Sequence, residues 1–292
     1  MNKSFIISTD STCDFPADFI KKNELSYIPL IYIMDDVEYG AINGPQLTEK
    51  EFYTSMRSGK MPKTAQITPD TAYTSLEHFL SKGTDVLHIA FSSALSGTCN
   101  SFNIAAEDLK VKYPNSKLII IDSLSASLGE GYFVNYAITL RKEGKSIEET
   151  ARLLEENRQH FCHYFTVDDL FHLNRGGRVS KLTAVIGSML GIKPILNVNE
   201  KGQLIPIGKV RGRKNSLDEL VKYMIKKYDK EKCKSFFISH GDCYDEALYV
   251  ANQIKEKTGI QDFLIYYVGP VIGSHAGPGT VALFFWGDNR NP

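Results

Sequence analysis

Several short segments of this sequence gather hydroxyls, glycines and charge at places where chemistry could be done. Ser92-Ser93-Ala94-Leu95-Ser96-Gly97-Thr98 follows an apolar run and opens a helical pattern. Ser96 is placed to cap that helix, Gly97 permits close backbone approach, and the amides of Gly97 and Thr98 are left unpaired. With the Ser96 hydroxyl these donors make a seat for an anion, favoured by the helix dipole. A plain serine cap on a buried helix is the alternative reading. Lys63-Thr64-Ala65-Gln66 precedes a second cap at Thr68-Pro69 and can bring the Thr64 hydroxyl over the same mouth. Ser8-Thr9-Asp10-Ser11-Thr12 and Asp122-Ser123-Leu124-Ser125 end strands, either lining that mouth or forming Asx and ST turns, the commoner arrangement.

Two more segments carry charge or imidazole. Asn174-Arg175-Gly176-Gly177-Arg178-Val179-Ser180 sets two glycines beside two arginines and leads into a further helix. It reads as backbone held near a charged group, or equally as a glycine C-cap followed by solvated arginines. Gly269 to Thr280 holds four glycines, two prolines and His275 between two apolar strands. A lone histidine is usually structural, but one in a glycine-rich loop at strand ends is a candidate for binding.

Standard chemistries are missing. Ser96 lacks the glycine two places before it that a nucleophile elbow needs, and Gly273-Ser274-His275 sets its serine one place too early. No GxxxxGK[ST] is present, so a P-loop nucleotide site is excluded. Gly129-Glu130-Gly131 lies inside a helical pattern without the third glycine of a dinucleotide fingerprint. His160, Cys162 and His163 lack a paired ligand set at metal spacing and are read as packing; no metal is expected. His240-Gly241-Asp242-Cys243 reads as a turn and helix cap.

These segments need elements to hold them. Phe5–Thr9, Tyr27–Met34, Val86–Phe91 and Leu118–Asp122 are β-rich runs. Between and after them lie helical patterns, among them Glu49–Arg57 behind a Thr48 capping box and Ala126–Lys142. Alternation of this kind predicts a parallel sheet covered on both faces. After about Cys162 the texture changes: Ile195–Asn199 and Gln203–Val210 flank a glycine turn as a hairpin, and helices then alternate with strands to Trp286. The expected architecture is α/β in two domains, a parallel-sheet domain over residues 1–160 and a mixed α/β domain over 161–292.

Composition narrows the classes. The 292 residues suit about two domains. Lys+Arg and Asp+Glu are 34 each, a balance without the excess positive field that nucleic-acid binding needs. The longest apolar runs, Phe263–Val268 and Val281–Trp286, fall far short of the ~18 residues of a membrane span. Only three apolar residues follow Ser4, too few for a signal-peptide core, and five cysteines without a CxxC pair do not form a disulfide framework. A cytoplasmic protein with no nucleic-acid partner and no stable membrane insertion is expected.

Six blocks in order resemble the DegV family of bacterial fatty-acid-binding proteins: Ser8–Pro16 (STDSTCDFP), Lys63–Pro69 (KTAQITP), Ser92–Thr98 (SSALSGT), Phe165–Lys181 (FTVDDLFHLNRGGRVSK), Gly191–Leu196 (GIKPIL) and Gly269–Thr280 (GPVIGSHAGPGT). The resemblance spans the chain. It implies a long-chain fatty acid such as palmitate buried between the two domains, with no cofactor and no catalytic residue. Thr64 and Ser96, with Gly97, would hold the carboxylate, and His275 and Arg178 would support it. Where the family usually has Ser-Gln-Pro after the threonine, this chain has Ala65-Gln66-Ile67, which leaves Thr64 in place. The family includes the acyl-binding subunit of bacterial fatty acid kinase, so a separate ATP-dependent catalytic subunit is an implied partner. Burying a sixteen-carbon tail would contribute on the order of 10 kcal/mol before ordering costs. Two other readings stand beside it: a serine acyl hydrolase or transferase using Ser96 with His275 as base, and a phospho-ligand-binding α/β protein seated on the Ser96 helix.

Overall fold

The computed structural model describes residues 5–41, 43–179 and 191–291. The helix read after Ser180 lies outside them. The first half runs β1 (Phe5–Asp10), α1 (Ala17–Lys22), β2 (Ser26–Ile28), β3 (Ile31–Met34), β4 (Val37–Tyr39), α2 (Glu49–Arg57) and β5 (Lys63–Ala65). It continues with α3 (Pro69–Leu80), β6 (Asp85–Ala90), α4 (Thr98–Lys112), β7 (Leu118–Asp122), α5 (Leu128–Lys142) and α6 (Ile147–Asn157). The second half holds β8 (Phe161–Thr166), α7 (Phe171–Gly176), β9 (Ile192–Val198), β10 (Leu204–Arg211), α8 (Arg213–Lys227) and β11 (Ser235–His240). It ends with α9 (Tyr244–Thr258), β12 (Asp262–Tyr267), α10 (Pro270–Ala276) and β13 (Val281–Trp286).

The parallel sheet is there, in the order β2-β1-β6-β7. Every residue of β6 is buried, as a central parallel strand covered on both faces must be. Leu76, Phe102 and Leu109 of α3 and α4 pack with Val86 and Leu118 on one face. Phe133, Ile138 and Leu154 of α5 and α6 pack with Ile7, Leu87 and Ile121 on the other. The second half builds a mixed sheet, β10-β9-β8-β13-β11-β12, antiparallel except for the β11–β12 pair. The expected hairpin is β9–β10, turning at Gly202.

Tyr27–Met34 is not one strand. Pro29 has no N–H to give a ladder, and the run divides into β2, in the parallel sheet, and β3, the centre of a third sheet ordered β4-β3-β5. The segment Lys63–Ala65 that carries Thr64 is therefore a strand, with Thr64 opposite Tyr32. Gly269–Thr280 is also more ordered than a loop: Pro270 opens α10, and His275 stands in its last turn.

Helix α5 lies between the parallel and mixed sheets, and ten of its fifteen residues are buried. That explains the two glycines without any nucleotide. A Cβ on Gly131 would sit 2.8 Å from the Cys13 carbonyl oxygen, and one on Gly129 would collide with the His163 ring. The helix starts at Leu128 rather than Ala126 because Ser127 takes φ 56°. The Ser127 hydroxyl donates to Asp14 Oδ2 at 2.6 Å and lies 2.8 Å from Ser239 Oγ, tying β11 to the first half. Arg290, fully buried, adds a second tie by donating to the carbonyls of Phe161 at 3.2 Å and Leu124 at 2.5 Å.

Ser8–Asp10 are the end of β1, and tight turns follow at Ser11–Cys13 and after Asp122, the last residue of β7. Asp10 Oδ1 accepts from the Thr12 amide at 3.0 Å, and Asp122 Oδ1 from the Leu124 amide at 2.9 Å. Beneath the first turn the Thr12 hydroxyl lies 2.5 Å from Asp10 Oδ1 and 2.8 Å from Glu130 Oε2. The single Thr12 hydroxyl thus bridges two buried carboxyl groups. Burial pushes both carboxyls above their usual range.

Candidate functional site

The five residues singled out in the sequence, Thr64, Ser96, Gly97, Arg178 and His275, all line one cavity of about 530 Å³. That volume lies within the roughly 300–1,000 Å³ of small-molecule sites. Most of the wall is apolar: Leu30, Phe91 and Leu95 come from the first half, and Val198, Leu204 and Phe284 are among those from the second.

The polar end is assembled from four separate segments. β5 presents Thr64, whose Oγ1 lies 2.8 Å from His275 Nε2. The other ring nitrogen, Nδ1, faces Gly176 and has no hydrogen-bond partner among the described residues; a Cβ on Gly176 would strike it. Burial is the main cause that pushes the imidazole pKa down to about 4, and the positive charges of Arg178 and Arg175 add to it. The ring is therefore neutral near pH 7. Arg175 fastens the segments together by donating to the carbonyls of Pro62 at 3.0 Å and Ser274 at 3.2 Å. Arg178 donates through Nε to the Leu95 carbonyl at 3.4 Å and through Nη1 to the Gly176 carbonyl at 2.5 Å.

The Ser96 segment departs from the expected cap by one residue. α4 begins at Thr98 with Gly97 as its N-cap, and Ser96 precedes it. Ser96 Oγ accepts from the Thr98 amide at 3.2 Å and lies 3.0 Å from Thr98 Oγ1. Of the two amides expected to be free, that of Thr98 is thus used within the turn, and that of Gly97 has no acceptor among the described residues. Gly97 leaves room for the end of the Gln66 side chain, which lies where a Cβ would go. In the Asn174–Val179 stretch the expected glycine C-cap is formed, with Gly177 left-handed at φ 66° after α7, while Gly176 lies against the neutral His275 ring.

Polar lining residues outside the expected site include Gln66, Ser127 and His163. Gln66 sits in the same block as Thr64, two places on along an extended chain. Ser127 is marked only by its backbone conformation. His163 was assigned to packing, yet it is 1% exposed and forms part of the cavity wall. The signal available for it was strand alternation, which places His163 and Phe165 on one face of β8. The serine–histidine pair that an acyl hydrolase needs is not formed, because His275 pairs with Thr64 and Ser96 with Thr98.

A parallel-sheet domain and a mixed-sheet domain closing on one apolar cavity with a hydroxyl-lined end define the class. The chain belongs to the DegV family: the family model described as "Uncharacterised protein, DegV family" matches residues 4–288. It is 45% identical to a DegV domain-containing protein of Clostridium perfringens, over 99% of this chain and 100% of that one. Among solved structures it is similar to a DegV family protein of Thermus thermophilus described for fatty acid binding, with TM-score 0.86, 28% identity and coverage of 98% and 100%. It is also similar to DegV of Bacillus subtilis, described as a fatty acid binding protein, with TM-score 0.83, 30% identity and coverage of 99% and 100%. No helix among the described residues is long and apolar enough to cross a membrane.

Proposed function

We propose that this chain binds one long-chain fatty acid of the palmitate type, its tail in the cavity and its carboxylate at the polar end. The observation that carries this reading is the cavity itself, an apolar volume of about 530 Å³ closed at one end by Thr64, Ser96 and His275. Residues 1–160 supply the carboxylate-binding loops, and residues 161–292 cover the chain and add Arg178 and His275. A buried carboxylate is tolerated only when hydrogen-bonded. The hydroxyls of Thr64 and Ser96 and the Gly97 amide meet that need, with the Arg178 charge close by. The relatives described as fatty acid binding proteins support the ligand class.

The acid held this way is presented, in the cytoplasm, to a separate ATP-dependent kinase subunit. One carboxylate oxygen attacks the γ-phosphorus of ATP; the new O–P bond forms as the bond to ADP breaks, giving acyl phosphate and ADP. The lack of any P-loop motif in this chain fits the role of carrier.

The test is extraction and mass spectrometry of lipid from protein made in a bacterial host and purified without detergent. A stoichiometric sixteen- or eighteen-carbon acid is the expected result. An empty protein that is stabilised by phosphates and not by palmitate would bring the phospho-ligand reading forward. The kinase step fails if the loaded protein yields no acyl phosphate with the cognate catalytic subunit and ATP.

A further inference from the structure

The body of the cavity holds a polar group with nothing to bond. His163 on β8 pairs with Phe284 on β13, and Phe165 with Ala282, so these four side chains share the face turned to the cavity. Thr280, at the start of β13, donates its hydroxyl to the Ala276 carbonyl beside His275 at 3.0 Å. Phe284, opposite His163, lies four residues further along, about 13 Å at the rise of a strand. His163 therefore lines the body of the cavity, away from its carboxylate end, with the Cδ2–Nε2 edge of its ring beside Gly129 of α5.

Neither nitrogen of the His163 ring meets a hydrogen-bond partner among the described residues, and the residue is 1% exposed. The backbone of Phe161 on the same strand favours the charged ring. Burial outweighs it, and the ring stays neutral, with one N–H and one lone pair. Other hydroxyls in the wall are committed, Ser127 to Asp14 and Thr280 to Ala276. An unpaired donor and acceptor in an apolar wall are a standing cost that leucine would not carry. A ligand with a hydroxyl at that depth removes it.

We infer that the cavity is built for a fatty acid with an oxygen in the body of its chain, a mid-chain hydroxy acid, and that His163 recognises that oxygen. The inference rests on the proposed fatty-acid reading and names the ligand class more narrowly.

The experiment compares ricinoleate with oleate, which differ by one in-chain hydroxyl, on the delipidated full-length chain by titration calorimetry. Ricinoleate is expected to bind about three- to tenfold more tightly, the equivalent of one hydrogen bond. In His163→Leu the order is expected to reverse. Oleate binding as well as or better than ricinoleate in the unaltered chain overturns the inference while leaving the fatty-acid reading intact. A ricinoleate preference that survives in His163→Leu removes His163 from the role. If the variant fails to fold, nitrogen NMR of the histidine rings in the unaltered protein decides: ricinoleate, and not oleate, must shift the His163 resonances. Binding of neither acid defeats the underlying reading together with the inference.

Discussion

Thr64 Oγ1 and His275 Nε2 stand 2.8 Å apart although 211 positions separate them in the chain. The imidazole, neutral near pH 7, has a single N–H to place. Its Nδ1 faces Gly176 without an acceptor among the described residues. A hydrogen there would be an unpaired buried donor at a cost of about 1–3 kcal/mol. We therefore assign the hydrogen to Nε2, donating to Thr64. That leaves the Thr64 hydroxyl hydrogen free for a third group, which is what an anion-binding end requires.

Removing either hydroxyl should weaken fatty acid binding. Thr64→Ala and Ser96→Ala are each expected to lose about 1–3 kcal/mol, the cost of taking a partner from a buried charge. Calorimetric titration with palmitate measures it. Ser96 also accepts from the Thr98 amide, so melting temperatures are recorded alongside to separate loss of the turn from loss of the ligand contact. Unchanged affinity in both variants removes these residues from the site.

His275 should take up a proton when the acid binds. Its pKa in the free protein is about 4, and a carboxylate beside the Thr64–His275 pair raises it. Between the free and bound values the complex holds a proton that the free protein lacks, so affinity falls as pH rises through that window. An NMR titration of the ring with and without palmitate reads both values. An unmoved pKa in the saturated complex places the carboxylate elsewhere.

Gly131→Ala pits helix propensity against packing. In an exposed helix the substitution would stabilise by about 1 kcal/mol. Here the added Cβ would stand 2.8 Å from the Cys13 carbonyl oxygen, a backbone atom that cannot swing away. Overpacking costs about 1–3 kcal/mol, so net destabilisation is expected in urea denaturation. A more stable variant would show that α5 is not pressed between the two sheets.

Asp14 should make the protein less stable as the solution turns alkaline. Burial is the largest cause raising its carboxyl pKa to about 8, above an ordinary value of 3.8. Between those values the folded state holds a proton that the unfolded chain has released, so this group's contribution declines as pH rises from about 4 to about 8. Asparagine is nearly isosteric, cannot titrate, and tolerates the left-handed φ of 53° found here. Asp14→Asn is therefore expected to gain melting temperature relative to the unaltered protein on going from pH 5 to pH 8. A constant difference across that range would contradict the buried-acid assignment.

Much was legible before any coordinates because its causes are local. The Thr48 capping box forms as read, with both reciprocal bonds. The fully apolar run Val281–Trp286 became the buried strand β13, and the β-rich run Val86–Phe91 became most of the buried strand β6. The misread stretches have causes just as definite. Tyr27–Met34 looked continuous because both of its pieces are β-rich, and only the pairing of each piece reveals that Pro29 sends them to different sheets. Gly269–Thr280 looked like a loop because its glycines mask a helix of seven residues, too short to show a period.

By itself the sequence determined the alternation of strands and helices, the apolar wall and the kinds of donor at the cavity's polar end. These depend on residue type and on neighbours a few positions away. Only the tertiary structure decided that Thr64 meets His275, that Gly176 lies against an imidazole, and that His163 lines a cavity instead of solid packing. Each of those facts is a distance between segments more than 30 positions apart. Such distances are set by how sheets, helices and α5 stack together, and no local pattern of residues encodes them.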